Sequence, residues 1–358
     1  MQPSTGESHS HSEATAQFES RKQDHIRLSL SPENEARGGS GLQRVELVHE
    51  ALPDLDFSEV QLTHNILKSK ISGLPLLVSS MTAGHHEAVD LNSRLAEACQ
   101  ARGWLMGVGS QRRELGDPQA AQEWREVRRR APKVHLLGNL GLSQLIRTST
   151  ADVMRLVDHL EASAMIIHTN PLQECLQPEG TPQFSGGLKA IETLARELPV
   201  PLMVKETGCG FSPQTLQRLI DLGVTAVDIS GFGGTHWGRI EGGRSQRGDI
   251  RHHAAQSFAH WGIGTVDSLV SAVELGPDYE VWASGGVRSG LEAATLLAIG
   301  AQTVGFAKPI LEAALEGEKA LDFRMELIEY ELKTALFCTG SKSVSELQAK
   351  KVWRWRRV

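Results

Sequence analysis

The stretch Val281–Pro309, with the sequence VWASGGVRSGLEAATLLAIGAQTVGFAKP, decides the fold. A short apolar run at its start ends at Gly285-Gly286, and a second apolar run ends at Ala307-Lys308, with apolar residues at helix spacing between them. Glycines let a backbone approach an oxyanion closely, and a helix N-terminus adds positive partial charge. Taken alone, the stretch could be an ordinary βαβ unit with a tight glycine turn. It also fits the last two strands of a (β/α)8 barrel, whose loops frequently bind phosphate.

Six further apolar runs precede this stretch, each followed by a helical segment. They begin at Leu74, Leu105, Val134, Ala164, Pro201 and Ala226. Continuous apolar strands that alternate with helices are typical of a parallel sheet. The eight units predict an α/β protein with the (β/α)8 TIM barrel fold. An open doubly wound sheet would need a GxGxxG turn after its first strand, where this chain has Met-Thr-Ala-Gly.

Polar residues follow strand after strand at the predicted C-terminal ends, which is the face that carries the chemistry in this fold. They are Thr82, Ser110, Asn139, His168, Asn170, Lys205, Ser230 and the Gly285-Gly286 pair. The glycine-rich segment Gly231-Phe-Gly-Gly-Thr235 adds a second loop that permits close backbone approach. Neutral donors and acceptors with one lysine suit a polar heterocycle with a phosphate tail better than a bare metal site.

Composition excludes several classes of protein. The chain has 358 residues, of which 40% are hydrophobic, and a net charge of −6, which argues against broad nucleic-acid binding. No apolar run is long enough to span a bilayer, so no membrane partner is expected. Four scattered cysteines without a CxxC pair fit free thiols in a reducing, cytoplasmic compartment.

The regions outside the barrel differ in composition. We expect residues 1–20 to be a disordered tail, 21–73 a substrate-binding segment and lead-in, 74–340 the barrel, and 341–358 a basic C-terminal tail. The lead-in predicts a short strand pair that caps the barrel from below. Trp353 and Trp355 resemble a membrane-surface or nucleic-acid tail, but we expect them to pack on the barrel base or on a neighbouring subunit.

The loop after the fourth strand reads HTNPLQECLQPEG from His168 to Gly180. His168 and Asn170 are two residues apart and therefore share one face of the strand. Glu174 and Glu179 are the two carboxylates of the loop, and either could bind Mg²⁺, which takes oxygen ligands.

Seven motifs together resemble the type 2 (flavin-dependent) isopentenyl-diphosphate isomerases, over nearly the whole chain after residue 20. They are RKQDHI (Arg21–Ile26), SSMTAG (Ser79–Gly84), MGVGSQR (Met106–Arg112), HTNPLQE (His168–Glu174), VKETGCG (Val204–Gly210), DISGFGGTHW (Asp228–Trp237) and ASGGVRSG (Ala283–Gly290). Ala83 replaces the usual glycine of the family, and Thr181 stands where an acidic residue often follows QPEG.

The resemblance implies an FMN-binding barrel, with an N-terminal extension over the active-site face, that converts isopentenyl diphosphate to dimethylallyl diphosphate without net redox change. It implies reduced FMN, Mg²⁺, NADPH as the reductant, and a homo-tetramer or homo-octamer. The implied cofactor-binding residues are Ser80, Met81, Thr82, Ala83, Ser110, Asn139, Lys205, Ser230, Thr235, Gly285, Gly286, Val287, Arg288, Ala307 and Lys308. The implied substrate-binding residues are Arg21, Lys22, His25, Ser110, Gln111, Arg112 and Gln173. Glu174 is the implied magnesium ligand, and Gln173, His168, Asn170 and Lys205 are the implied catalytic residues.

Two other interpretations also predict a flavin-binding barrel. A 2-hydroxy-acid oxidase would need a histidine base and an arginine pair for a carboxylate, and its product would be oxidised. A non-catalytic flavin-binding barrel would tolerate loss of Glu174, Arg21 and Lys22. All three readings predict a yellow protein, so colour alone does not distinguish them.

Overall fold

A computed structural model of the protein describes residues 24–82, 88–117 and 120–357. Its centre is a closed barrel of eight parallel strands, which confirms the predicted fold class. In order around the barrel, the strands are β4 (Leu76–Val78), β5 (Leu105–Gly107), β6 (His135–Gly141), β7 (Ala164–Thr169), β8 (Leu202–Glu206), β9 (Ala226–Asp228), β10 (Glu280–Ser284) and β11 (Thr303–Phe306). The barrel closes where Val304 of β11 pairs with Leu76 of β4.

In the described part of the chain, helices precede the barrel, lie between its strands and follow its last strand. They are α1 (24–30), α2 (Val89–Arg102), α3 (Ala120–Arg130), α4 (Leu142–Leu145), α5 (Thr150–Leu160), α6 (Pro171–Leu176), α7 (Gly187–Glu197), α8 (Pro213–Ile220), α9 (Trp237–Arg244), α10 (Ile250–Ser257), α11 (Thr265–Glu274), α12 (Gly290–Ile299), α13 (Lys308–Glu316), α14 (Glu318–Cys338) and α15 (Val344–Ala349). Short 3-10 turns lie at Pro32–Asn34, Leu42–Arg44, Phe57–Glu59 and Gln111–Leu115. Within the described residues, no helix is long and apolar enough to cross a membrane.

Two apolar layers stabilise this arrangement because strand residues alternate between the barrel interior and the helices. The larger layer lies between strands and helices and includes Trp104 and Trp124. The smaller one fills the barrel and includes Met203 and Trp282.

A hairpin closes the lower end of the barrel, as the sequence predicted. It consists of β2 (His64–Ile66) and β3 (Ile71–Gly73). Ile66, Leu67 and Ile71 join the interior layer, and Glu280, at the start of β10, accepts hydrogen bonds from the backbone N–H groups of Leu67 and Lys68. The C-terminal ends of the strands lie at the opposite end of the barrel.

A strand that precedes the barrel pairs with a strand near the C-terminal end of the described chain in a small antiparallel sheet. Its strands are β1 (Val45–Leu47) and β12 (Trp353–Trp355), and Val45 pairs with Trp355. This sheet lies beside α12. Trp353 packs against the main core, whereas Trp355 is partly exposed beneath the Arg44 guanidinium.

The described part of the N-terminal extension is held on the C-terminal face of the barrel. Glu35 forms an antiparallel bridge with Thr235, which follows β9. The N–H of Ala36 donates to the Gly234 carbonyl over 2.8 Å, and the N–H of His236 donates to the Asn34 carbonyl over 2.9 Å. Backbone pairing of this kind fixes the segment beside the loops that carry the polar residues.

Candidate functional site

One large cavity opens at the C-terminal ends of the barrel strands, opposite the hairpin. It encloses about 1570 Å³ of empty space, part of it open to solvent. Nineteen of the residues that the sequence singled out line it: Ser80, Met81, Ser110, Asn139, Lys205, Ser230, Thr235, Gly285, Gly286, Val287, Arg288, Ala307, Lys308, His25, Arg112, His168, Asn170, Gln173 and Glu174. The polar strand ends therefore do converge on one space.

Five of the predicted residues need separate mention. Thr82 donates a hydrogen bond to Asn92 and does not line the cavity. Gln111 is buried behind the cavity wall and does not line the cavity either. Arg21, Lys22 and Ala83 lie outside the described residues.

The loops after β9 and β10 lie back to back at one end of the cavity. Gly285 and Gly286 have φ values of 105° and 77°, which favour glycine. A Cβ atom on Gly285 would lie 2.1 Å from the Gly231 carbonyl oxygen, and one on Gly286 would lie 2.4 Å from the Gly233 carbonyl oxygen. Glycine is therefore required at both positions, and the exposed backbone forms a cradle that an oxyanion fits.

Two cations border the glycine cradle, and a carboxylate that the sequence analysis missed lies between them. Arg288 donates to Oε1 of Glu35 from Nη2 over 2.7 Å and from Nε over 3.2 Å. The Nζ atom of Lys308 lies 3.5 Å from Oε2 of the same residue. Burial by itself raises the pKa of Glu35, but hydrogen bonds from Arg288 and Arg37 lower it to about 2. The donor set of Arg288, Lys308 and glycine backbone fits a phosphate.

A buried ion pair lies in the middle of the cavity floor. Lys205, at the end of β8, donates to Oδ2 of Asp228, at the end of β9, and to Oγ of Ser284 over 3.0 Å. Ser284 in turn donates to the Asp228 carboxylate over 2.8 Å. Lys205 and Asp228 are 5% and 1% exposed, so each charge depends on the other for compensation.

His168 is held in one tautomer by its neighbour on β6. Asn139 donates from Nδ2 to the Val108 carbonyl over 3.0 Å, so its Oδ1 faces Nδ1 of His168 at 2.8 Å. Because Oδ1 can only accept, Nδ1 of a neutral His168 carries the proton and Nε2 is the basic nitrogen. Gln111 supports the pair from behind, since its Oε1 accepts the Asn139 N–H over 3.0 Å.

Gln173 is oriented by a polar chain that runs along α6 to α9. Its Oε1 accepts from Nδ2 of Asn170 over 3.1 Å, and its Nε2 donates to Oε1 of Glu241 over 2.9 Å. Glu241 is completely buried and also contacts Nε2 of His25 at 2.9 Å and Nη1 of Arg244 at 2.6 Å. Burial alone raises the pKa of Glu241, but the hydrogen bond and charge of His25, the hydrogen bond from Gln173 and the charge of Arg244 together lower it.

Glu174 lines the cavity beside this chain. Its Oε1 accepts from Asn170 over 3.1 Å, and its Oε2 accepts the Thr181 N–H over 2.5 Å. In the described part of the chain, no three His, Cys, Asp or Glu side chains gather as a metal site. A magnesium ion on Glu174 would therefore take its other ligands from a bound anion and from water, which is usual for this ion.

Apolar side chains form the remaining wall of the cavity. They are Ile26, Met81, Leu311 and Trp237. The Trp237 ring meets the His25 ring edge-on, with centroids 5.1 Å apart. Trp237 stands in the DISGFGGTHW motif, and Asp228 opens it, so the motif itself was the signal for both residues. Glu35 and Glu241 offered no comparable local signal.

Comparison with known proteins gives three findings. A family model described as FMN-dependent dehydrogenase matches residues 120–354. Two curated proteins named isopentenyl-diphosphate delta-isomerase are similar over nearly their whole length. The one from Legionella pneumophila (strain Paris) is 54% identical over 335 residues, which cover 94% of this chain and 98% of that protein. The one from Bdellovibrio bacteriovorus is 52% identical over 343 residues, with coverages of 95% and 99%.

Among solved structures, a mandelate oxidase variant with a monooxide FMN adduct has a TM-score of 0.63. It is 17% identical and covers 92% of this chain and 93% of its own. At that identity the likeness concerns the fold alone.

Proposed function

We propose, from the premise that this chain belongs to the FMN-dependent isopentenyl-diphosphate delta-isomerases, that it converts isopentenyl diphosphate to dimethylallyl diphosphate in isoprenoid biosynthesis. The chain is thus an enzyme of that family and of the FMN-dependent dehydrogenase fold. The observation that carries the proposal is a single cavity with a glycine–cation cradle at one end and the His168–Asn170–Gln173–Glu174 cluster at the other.

The cradle would hold the FMN phosphate, with Gly285, Gly286, Arg288 and Lys308 as donors. The ring would lie along Ser80, Met81, Ser110, Asn139, Lys205, Ser230, Thr235, Val287 and Ala307, all of which line the cavity. Thr82 would act from behind the cavity wall through its hydrogen bond to Asn92, and Ala83 lies outside the described residues. When bound in its reduced form, FMN supplies a proton donor and acceptor beside the alkene.

The diphosphate would be held at the opposite end of the cavity. Arg112 and His25, which line the cavity, would contact it there, and Arg21 and Lys22 would reach it from the N-terminal extension. Each charge-assisted hydrogen bond contributes roughly 1.5–3 kcal/mol. Mg²⁺ on Glu174 would neutralise the remaining charge, and Ser110 and Gln111 would position Arg112 through the SQR turn.

The side chains around the alkene have separate tasks. Gln173 would orient the substrate, because a neutral amide is a poor general base, while Asn170 fixes the amide. His168 would bind the substrate diphosphate by donating from a protonated Nε2, since its Nδ1 already donates to Asn139. Lys205 would stabilise negative charge on the cofactor. Ile26, Met81 and Trp237 would exclude water from a cation-like intermediate.

The remaining parts of the proposal concern the cellular setting. They are NADPH as the reductant of the flavin, a cytoplasmic location, and a homo-tetramer or homo-octamer. Their support is the family resemblance.

The decisive experiment measures product from isopentenyl diphosphate with FMN and Mg²⁺ under anaerobic conditions, with and without reductant. We expect dimethylallyl diphosphate in the reduced sample only, because the reaction needs reduced flavin without net oxidation. FMN-loaded protein that gives no product in either sample would refute the isomerase proposal. An oxidised product from a 2-hydroxy acid would favour the oxidase instead.

A further inference from the structure

The carboxylate of Glu35 contacts Arg288 and Lys308, the two cations that a cofactor phosphate would need in the glycine cradle. Its carboxylate is 5% exposed, lines the cavity and accepts from Arg288 on one oxygen, while Lys308 and Arg37 face the other. Nothing in the barrel requires an acidic residue here, since the segment itself is held by the backbone bridge to Thr235. The carboxylate therefore acts on its cationic neighbours in addition to the backbone pairing that holds the segment.

Arg288 cannot serve two anions fully at once. A guanidinium has five N–H donors. Nε and Nη2 donate to Glu35, Nη2 also donates to the Gly233 carbonyl over 3.2 Å, and Nη1 donates to the Gly286 carbonyl over 2.6 Å. Glu35 thus holds one edge that could grip a phosphate with two parallel bonds, and the donors at the other end face the carbonyls of Gly233 and Gly286.

We propose that Glu35 is an internal anion that competes with the flavin phosphate for Arg288 and Lys308 and so sets how tightly phosphorylated flavin is bound. This inference rests on the proposed FMN site. Two anions that share the same cations repel each other at short range in a partly buried site, where the effective dielectric constant is far below that of water. Binding of the phosphate therefore has to displace Glu35 from Arg288.

Arg37 is the partner that would retain the displaced carboxylate. It donates from Nε to Oε2 of Glu35 over 2.8 Å, and its own side chain is 70% exposed. The contact with Arg37 draws the Glu35 carboxylate toward solvent. Without Arg37, the carboxylate would pair with Arg288 and Lys308 alone. Glu35 and Arg37 thus have opposite effects on the phosphate site, because the carboxylate competes with the phosphate and the arginine draws the carboxylate away.

The test uses the flavin-free full-length protein and two ligands, FMN and riboflavin, which differ in the phosphate alone. Dissociation constants are measured by quenching of flavin fluorescence, which needs no turnover. Glu35→Gln keeps the shape and one acceptor oxygen but removes the charge. We expect it to tighten FMN binding about tenfold and to leave riboflavin binding within twofold of wild type. Arg37→Gln, at an exposed position that folding tolerates, should weaken FMN binding several-fold and leave riboflavin unchanged.

Glu59→Gln is the matched control, since it removes the same charge at an exposed position, and neither Glu59 nor its partner Lys342 lines the cavity. We expect it to change neither dissociation constant by more than twofold. Unchanged or weaker FMN binding in Glu35→Gln, with normal riboflavin binding, would overturn the competition. Wild-type protein that binds FMN no better than riboflavin would instead refute the phosphate site itself, and the inference with it.

Discussion

Gln173 and Glu241 are joined by a hydrogen bond of 2.9 Å from the Gln173 Nε2 to the Glu241 Oε1. The same carboxylate oxygen lies 2.9 Å from Nε2 of His25. One buried acceptor on α9 therefore positions a side chain of the barrel and a side chain of the N-terminal extension. This geometry links the orientation of the amide in the cavity to the docking of the segment above it.

Glu241→Gln should weaken the contacts of this side chain with both Gln173 and His25. The amide oxygen is a neutral and weaker acceptor, and the amide nitrogen cannot accept from either neighbour. We expect kcat to fall on the order of 100-fold from misplacement of Gln173 and KM to rise from looser docking of His25. Steady-state kinetics with isopentenyl diphosphate measure both. Glu192→Gln, which removes an exposed carboxylate on α7, is the control and should change neither. A change in KM with normal kcat would show that Glu241 does not position Gln173.

We expect the contributions of Lys205 and Asp228 to the free energy of unfolding to depend strongly on each other. Asp228→Asn leaves a buried ammonium without its counter-charge, which typically costs about 3–5 kcal/mol. We expect the double variant Lys205→Met/Asp228→Asn to be less destabilised than Asp228→Asn alone, because it removes the unpaired charge. Urea denaturation of the flavin-free protein measures the free energies of unfolding.

An exposed ion pair serves as the control for the free energy that the loss of Asp228 costs. Lys189 and Glu192 lie 2.8 Å apart on α7 and are 72% and 44% exposed. Glu192→Gln should cost no more than about 0.5 kcal/mol. If Asp228→Asn costs as little as this control, the charge of Lys205 is compensated in some other way and the pair is not coupled.

The barrel and most of the cavity were predictable from sequence because their signals are local. Each strand is a short apolar run, and the polar residue at its end is adjacent in the chain, as at Ser110, Asn139 and Lys205. Once the strands are taken as parallel, their ends must meet on one face. The glycine pair at Gly285 followed the same rule, and its positive φ values explain why glycine stands there.

Glu35 and Glu241 were missed because their roles arise from contacts between distant parts of the chain. Glu35 contacts Arg288 across 253 positions, and Glu241 contacts His25 across 216. Nothing in the residues around either glutamate distinguishes it from an exposed one. The pairing of β1 with β12 is of the same kind, since Glu46 meets Arg354 across 308 positions. Such contacts depend on the tertiary structure and have no local periodicity.

Glu206 should make the stability of the protein depend on pH. The carboxylate is buried at the end of β8, and Oε2 accepts the N–H groups of Gly208 over 2.7 Å and of Gly210 over 3.1 Å. Burial raises its pKa to about 7, against the opposing effect of these backbone bonds. A raised carboxyl pKa gives stability that is present below the ordinary pKa and is lost as the pH rises through 7.

Glu206→Gln removes this titration but keeps an oxygen acceptor for the loop. By linkage, wild type should lose roughly 3 kcal/mol relative to the variant between pH 4.5 and pH 8. Urea denaturation at several pH values measures the difference between the two proteins. A difference in free energy of unfolding that stays constant over this range would show that Glu206 ionises in the folded protein as it does in the unfolded chain.

We expect Glu174 to determine the Mg²⁺ concentration that the activity requires. Glu174→Gln keeps an oxygen toward Asn170 or Thr181 but removes the charge that a hard cation prefers. We expect the Mg²⁺ concentration for half-maximal activity to rise about tenfold or more, with a smaller effect at saturating Mg²⁺. Glu179→Gln is the matched control, because Glu179 stands on the same loop and pairs with Arg244 at 2.8 Å. Activity titrations with Mg²⁺ on both variants measure the effect. A normal titration in Glu174→Gln with a shifted one in Glu179→Gln would transfer the metal to Glu179, and normal titrations in both would remove the metal from this loop.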